Sequence, residues 1–100
     1  MEEKDKPEAE PLTAVKIARW MNSIVEKKGE LKQKTVTFNL VYKATGGRKF
    51  VHKNNNGNWA INEDVLEEFN KLNAETVVWS FSKRLWRKRR KNDPAGRMVR

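Results

Sequence analysis

The sequence predicts one α+β domain, and three observations carry this prediction. Residues 13–28 and 62–73 repeat apolar side chains at three- and four-residue steps, which is the spacing of one helix face. Residues 49–61 place two strand-like segments on either side of NNNG, and Asn-Gly is the strongest short-range signal for a β-hairpin. Residues 77–82 alternate in the manner of a strand. A chain of 100 residues has the usual length of a single domain.

Charge is distributed unevenly along the chain. The net charge is +9, yet residues 1–10 carry five acids against two lysines, and residues 83–100 carry nine bases against Asp93. A basic end on a mildly basic body is typical of a protein that binds a polyanion. The alternative interpretation is a solvated basic tail that keeps the protein soluble.

Composition also excludes several classes of function. The chain has no cysteine, so it has no disulfide, no thiolate zinc site and no thiol nucleophile. No apolar run approaches the ~20 residues of a membrane span, and the acidic N-terminus is unlike a signal peptide. We therefore expect a cytoplasmic protein without membrane contact.

The first elements in the chain are an arm and a helix. Residues 1–11 are charged, contain two prolines and predict a disordered acidic arm. In the helix predicted at residues 13–28, Thr13 can cap the N-terminus, and Lys27, Lys28 and Gly29 suit the C-terminus. The apolar stripe runs from Ala14 through Val25 and is expected to be core.

Residues 30–47 have two interpretations. TVTFNLVY alternates Val36, Phe38, Leu40 and Tyr42, as a strand would, and intrinsic propensity favours that strand. A helix is the alternative, since a second apolar set is spaced for one helix face and Gly46–Gly47 would stop it.

The hairpin of residues 49–61 is followed by the second clear helix, at residues 62–73. Asn62 is expected to cap this helix, and its apolar stripe is Val65, Leu66, Phe69 and Leu72. Its four acids lie on the opposite, solvated side, which is not the setting for acid–base catalysis. The only histidine, His52, has no partner pattern for a metal or catalytic site.

Residues 77–91 predict the last hairpin. If the chain turns at Ser82–Lys83, Trp79 lies opposite Trp86 and Val77 lies opposite Lys88, and such aromatic cross-strand pairs stabilise sheets. Ser-Lys is a poor pair for a tight turn, and a helix is the competing geometry, but the hairpin explains the positions of both tryptophans better. Pro94 and Gly96 then predict a flexible basic tail at residues 92–100.

Several motifs resemble a family of small, largely uncharacterised bacterial proteins with a winged-helix-like organisation. The resemblance covers about residues 12–97 and rests on GNWAI (57–61), VLEEFNKL (65–72), TVVW (76–79), WRKR (86–89) and Asp93 with Gly96-Arg97. It implies that residues 35–45 are helical. The implied fold is a winged-helix-like domain at residues 12–91 with three helices and two short β-hairpins. The sequence departs from the family pattern at residues 80–84.

Winged helices commonly bind duplex DNA with one helix in the major groove and a wing on the backbone, and we expect a nucleic acid, DNA first, as the partner. The helix in the recognition position is acidic, so phosphate contacts should come instead from the basic hairpin, with weak sequence specificity. The expected phosphate ligands are Lys83, Arg84, Arg87, Lys88, Arg89, Arg90 and Lys91, with a second patch of Lys32, Lys34, Lys43, Arg48 and Lys49. Trp86 would stack on a base if exposed, but its pairing with Trp79 favours the core.

Two other functions stand beside nucleic-acid binding. The alternative is a protein-interaction module that recognises an acidic partner surface. An enzyme is not expected, because the chain lacks a nucleophile–base set, a metal-ligand cluster and a phosphate-binding glycine loop, and no cofactor is implied. The sequence leaves the oligomeric state open.

Overall fold

The computed structural model describes residues 11–100 and confirms the α+β class with three helices. The predicted arm at residues 1–11 lies outside the described residues except for Pro11. The elements in chain order are α1 (Ala14–Lys28), β1 (Glu30–Lys32), α2 (Gln33–Tyr42), β2 (Val51–Lys53), β3 (Trp59–Ile61), α3 (Glu63–Asn73), β4 (Val77–Ser80), β5 (Leu85–Lys88) and β6 (Met98–Val99).

Helix α1 begins and ends as the sequence predicts. The hydroxyl of Thr13 accepts a hydrogen bond from the backbone N–H of Lys16 (3.1 Å). Gly29 takes a left-handed φ of 85° and donates its N–H to the carbonyl of Val25. Such a C-terminal glycine satisfies a helix carbonyl without the steric cost of a Cβ. The buried stripe of α1 packs against α3, and the two helices form one side of the core.

Residues 33–42 form helix α2, so the strand interpretation of TVTFNLVY is wrong. The helix that the resemblance implies at residues 35–45 is present, but it begins two residues earlier and ends three residues earlier. Val36, Leu40 and Val41 are buried, whereas Phe38 and Tyr42 are 53% and 63% exposed. The apparent alternation therefore mixes core and surface positions, and the three- and four-residue spacing of the buried set is the informative pattern.

The β2–β3 hairpin has the predicted position, with His52 opposite Ala60 and Lys53 opposite Trp59. Gly57 supplies the positive φ (80°) that the turn requires. A short 3-10 helix, Gly47–Phe50, precedes β2. Gly47 packs so closely on the Leu40 carbonyl that a Cβ there would overlap it.

Helix α3 differs from the prediction at its first residue and in its stripe. Asn62 occupies the N-cap position but makes no capping bond, because its amide is used elsewhere. Its Nδ2 donates to the Lys49 carbonyl (2.9 Å), and its Oδ1 lies 2.6 Å from Nδ1 of His52. Val65 and Phe69 are buried as predicted, but Leu72 is 46% exposed. Asn62 therefore ties the β2–β3 hairpin to α3 rather than capping the helix.

The main sheet has the strand order β1-β5-β4-β6 and contains the last predicted hairpin in the predicted register. Trp79 lies opposite Trp86, and Val77 lies opposite Lys88. The two indole rings are 4.7 Å apart, and Trp86 meets Phe69 of α3 edge-on at 5.2 Å. Trp86 is only 6% exposed, so it is a core residue.

The turn of this hairpin closes without glycine. Arg84 takes a φ of 56° and is the only non-glycine residue with a positive φ in the described part of the chain. It provides the left-handed geometry that Ser-Lys does not favour, which explains how a turn with poor sequence signals still forms.

Residues 92–100 lie on the fold, where the sequence predicts a flexible tail. Strand β6 pairs in parallel with β4, with Val99 beside Ser80. Arg97 donates from Nη1 to the carbonyls of Asn73 (2.9 Å) and Val77 (2.8 Å), which satisfies the C-terminal end of α3. The short outer strands β1 and β6 have no alternating sequence pattern, so the sequence predicts neither of them.

Candidate nucleic-acid interface

The tip of the β4–β5 hairpin and the start of α2 enclose a groove of about 550 Å³. Gln33, the first residue of α2, donates its backbone N–H to the carbonyl of Arg84 (3.0 Å). Lys32 of β1 pairs with Leu85 of β5. These contacts hold two segments about fifty residues apart in sequence against one another.

Four of the predicted phosphate ligands line this groove. They come from both predicted basic patches and are Lys32, Lys34, Lys83 and Arg84. All four are exposed, and none forms an ion pair with a carboxylate in the described part of the chain. The groove, named here the cationic groove, therefore presents positive charge to solvent.

The N-terminal end of α2 adds to this positive potential. Lys32 occupies the N-cap position, and no side chain bonds to the first N–H groups there. The first turn contains no acidic residue. The Gln33 N–H donates to the Arg84 carbonyl, whereas the next N–H groups of the first turn and the positive end of the helix dipole favour an anion at such a position.

At the other end of the hairpin, Arg87 is engaged by a carboxylate. Its guanidinium donates two hydrogen bonds to Asp93, at 2.9 and 2.8 Å. Only 15% and 9% of the two side chains are exposed. The hydrogen bonds from Arg87, then the bond from the Arg90 backbone N–H, hold the pKa of Asp93 well below its usual value. Arg87 is thus neutralised within the fold.

Arg89 and Lys88 are also bound within the fold. Arg89 donates to the carbonyls of Glu75 (3.2 Å), Pro94 (3.0 Å) and Gly96, so all three nitrogens of its guanidinium are used. The ammonium of Lys88 donates to the Glu26 carbonyl (3.2 Å) and lies 3.8 Å from that residue's carboxylate. The structure thus gives structural partners to three residues that the sequence assigned to phosphates.

The remaining five predicted ligands lie apart from the groove. Arg90 and Lys91 border a second hollow whose lining includes Glu26 and Glu75. Arg48 donates from Nε to the Val41 carbonyl (3.1 Å). Lys43 and Lys49, at and beyond the end of α2, are exposed and do not line the cationic groove.

The groove also contains residues that the sequence analysis did not select. Asn58 and Trp59, at the end of the β2–β3 turn, form part of its lining, together with Gln33 and Thr37. The one sequence signal for Trp59 is its position directly after an Asn-rich turn. The sequence does not show that this turn lines the same groove as the β4–β5 hairpin.

Helix α3 presents acids rather than bases near this region. Glu63 and Glu67 line a neighbouring groove between α3 and the sheet, and Gln33 borders both grooves. Glu68 is held by Lys71 at 3.0 Å. The cationic groove therefore lies beside a groove with acidic residues.

Within residues 11–100, no cluster of three or more His, Cys, Asp or Glu residues is arranged to hold a metal ion. In the same range, none of the helices has the length and apolar character to span a membrane.

A family model matches residues 13–88, from the N-cap of α1 to the end of β5. The chain belongs to DUF6953, a family of unknown function. The part that matches DUF6953 contains every residue lining the cationic groove, and it stops before Asp93 and Arg97. No curated protein and no solved structure matches the chain.

Proposed function

We propose that this protein is a small nucleic-acid-binding module, with DNA as the first candidate, that holds phosphates in the cationic groove. One observation carries the proposal. Two basic segments, far apart in sequence, meet in a groove where four cations have no carboxylate partner in the described chain. Exposed lysine and arginine around a groove of this kind suit a polyanion, since each can replace a condensed counterion on a phosphate.

The expected mode of binding is electrostatic and weakly specific. Lys32, Lys34, Lys83 and Arg84 contact phosphates, which positions the protein but carries little sequence information. On duplex DNA, four such contacts give a slope of about −3.6 in a plot of log K against log salt. A fourfold rise in salt then weakens binding by about 150-fold.

We further propose that the domain is organised like a winged helix. The order α1-β1-α2, then α3-β4-β5, with β1 paired beside β5, supports this organisation. The β4–β5 turn is then the wing, and the β2–β3 hairpin is an addition between α2 and α3. Because the exposed face of α3 carries Glu63, Asp64 and Glu67, the wing and the start of α2 lead the contact, and α3 stays out of the major groove.

A pair of double variants with equal charge tests this proposal. Lys83→Gln with Arg84→Gln removes two charges from the groove, and Arg90→Gln with Lys91→Gln removes two from the far end of the hairpin. Labelled duplex is titrated at about 50 and 200 mM salt. The groove variant should lower the salt slope by about 1.8, while the control keeps the wild-type slope. Equal effects of the two variants, or binding that does not respond to salt, would contradict the proposal.

A second candidate function is recognition of an acidic protein surface. One observation favours it: Phe38 and Tyr42 form an exposed aromatic pair on α2, with ring centroids 5.1 Å apart, one and two turns beyond Lys34. Exposed aromatic residues beside positive charge are common at protein interfaces. A pull-down after nuclease treatment separates the two functions. A partner that survives nuclease and is lost in Phe38→Ser with Tyr42→Ser would favour the protein-binding function. We propose no catalytic role in either case.

A further inference from the structure

The cationic groove has one wall that phosphate binding does not explain. Trp59 borders the groove although it carries no charge, and so does Asn58, the residue before it. Trp59 is half-buried and packs at the margin of the hydrophobic core. Phosphates bind to the cations and have no use for an apolar surface. An aromatic residue among the lysines therefore suits a ligand that carries both a phosphate and a ring.

The Trp59 ring contacts the side chain of its strand partner. Lys53 lies opposite it across the β2–β3 hairpin, and the Lys53 ammonium is 5.2 Å from the ring centroid. This cation–π contact holds the indole from one side. Lys53 does not line the groove, so this contact does not fill it.

The turn that presents Asn58 and Trp59 is also held in place. The side-chain oxygen of Asn54 accepts hydrogen bonds from the N–H groups of Asn56 (2.9 Å) and Asn58 (3.1 Å). The Asn54 N–H donates to the Asn58 carbonyl (2.8 Å). This wall is therefore formed before any ligand binds, which reduces the entropy lost on binding.

We infer that the groove binds an unpaired nucleotide of single-stranded nucleic acid, with its base stacked on Trp59 and its phosphates held by the four groove cations. This inference rests on the proposed function and adds the strand preference to it. In a duplex both faces of a base are covered by its neighbours, whereas an unpaired base can leave the stack and lie on an aromatic ring. The Asn58 amide carries both a donor and an acceptor for the edge of such a base.

Equilibrium binding of three labelled probes of equal length tests the inference: oligothymidylate, oligouridylate and a DNA duplex. The wild-type protein should bind at least one of the single strands more tightly than the duplex. Trp59→Ala should weaken single-strand binding by about 5- to 150-fold, the range that one stacked base contributes, and weaken duplex binding much less. Equal loss on all three probes, or no loss on single strands, overturns the inference.

A conservative variant covers the case in which Trp59→Ala does not fold. Stacking of a base quenches indole fluorescence, so single strands should quench the wild-type emission more than Trp59→Phe emission. Trp20→Phe is the matched control, because Trp20 is also half-buried but lies on α1 and does not line the groove. The quenching should survive in Trp20→Phe. Absence of quenching in the wild type, or its full retention in Trp59→Phe, overturns the inference.

The three probes also distinguish failure of the proposed function from failure of the single-strand preference, and they distinguish DNA from RNA as the source of the unpaired base. If no probe binds at low salt, the proposed function itself fails. If the duplex binds with the expected salt slope but neither single strand binds more tightly, the inference fails and the proposed function stands. Tighter binding of oligothymidylate identifies DNA as the source of the unpaired base, and tighter binding of oligouridylate identifies RNA.

Discussion

The two ends of the β4–β5 hairpin carry similar side chains in different surroundings. At the tip, Lys83 and Arg84 face solvent in a groove with two further lysines and without a carboxylate partner in the described chain. At the base, Arg87 is bound to Asp93, and Arg89 is bound to three backbone carbonyls. The basic run therefore contains cations that are bound within the fold and cations that are exposed in the groove. The sequence alone does not distinguish the two.

The difference lies in what the rest of the chain places beside each end. The last residues of the chain fold back over the base of the hairpin, and they bring Asp93 and the carbonyls of Pro94 and Gly96. The tip meets β1 and the start of α2, where the neighbouring ionisable side chains are lysines. We conclude that the base cations stabilise the fold and that the tip cations are available to a ligand.

The largest loss of stability is expected for Asp93→Asn. It removes a charge-assisted pair whose two side chains are mostly buried, and it leaves the Arg87 guanidinium without its anion. Urea unfolding at neutral pH should give a clearly lower midpoint, whereas Lys83→Gln at the tip should leave the midpoint unchanged. A midpoint equal to that of the wild type would mean that Arg87 is not structural.

The loss of stability in Asp93→Asn should also depend on pH. The pKa of Asp93 is depressed in the folded state, so its contribution to stability is complete above its ordinary pKa near 3.8 and is lost as the pH falls toward the folded-state value. The difference in stability between wild type and Asp93→Asn should be constant from pH 7 to about 5 and shrink below about 4. A difference that grows in acid would contradict the assignment.

A smaller loss, about 1–3 kcal/mol, is expected for Arg89→Met, which keeps the apolar stem and removes the three hydrogen bonds to carbonyls. Arg90→Met is the matched control, because the Arg90 side chain is exposed and only its charge acts on Asp93, while the hydrogen bond to Asp93 comes from the Arg90 backbone N–H. It should change the free energy of unfolding by less than about 0.5 kcal/mol. Equal losses in the free energy of unfolding for the two variants would mean that the hydrogen bonds of Arg89 do not stabilise the fold.

The smallest effect is expected for Lys88→Gln. Its ion pair with Glu26 is at 3.8 Å, and both side chains are at least half exposed, so the pair contributes less than about 0.5 kcal/mol. The change should disappear in high salt, because exposed pairs are screened. Chemical denaturation at two ionic strengths measures it. A large, salt-independent loss would place Lys88 with Arg87 and Arg89.

The comparison also shows how far the sequence could predict this molecule. The register of the β4–β5 hairpin followed from placing Trp79 opposite Trp86, because that pair fixes every other pair along the two strands. The strand predicted for TVTFNLVY failed, because Phe38 and Tyr42 look like core residues and are exposed. Nothing local to Phe38 or Tyr42 indicates that they face solvent.

The site was predictable only in part for a related reason. The charge of the hairpin and of residues 32–34 identified all four groove cations. Whether a given cation is free depends on distant partners, such as Glu26 for Lys88, which are 62 residues apart. Trp59 was missed because its place in the groove depends on two hairpins that line the same groove, and no periodic pattern in the sequence predicts that arrangement.

The positive φ of Arg84 has a consequence for engineering this protein. Glycine or asparagine adopts that conformation more easily than arginine, and relief of the strain stabilises a fold by about 1 kcal/mol. The same replacement deletes one of the four groove charges. Selection of a variant library for thermal stability alone should therefore enrich glycine or asparagine at position 84. On our proposal, the selected proteins are more stable but bind their ligand more weakly.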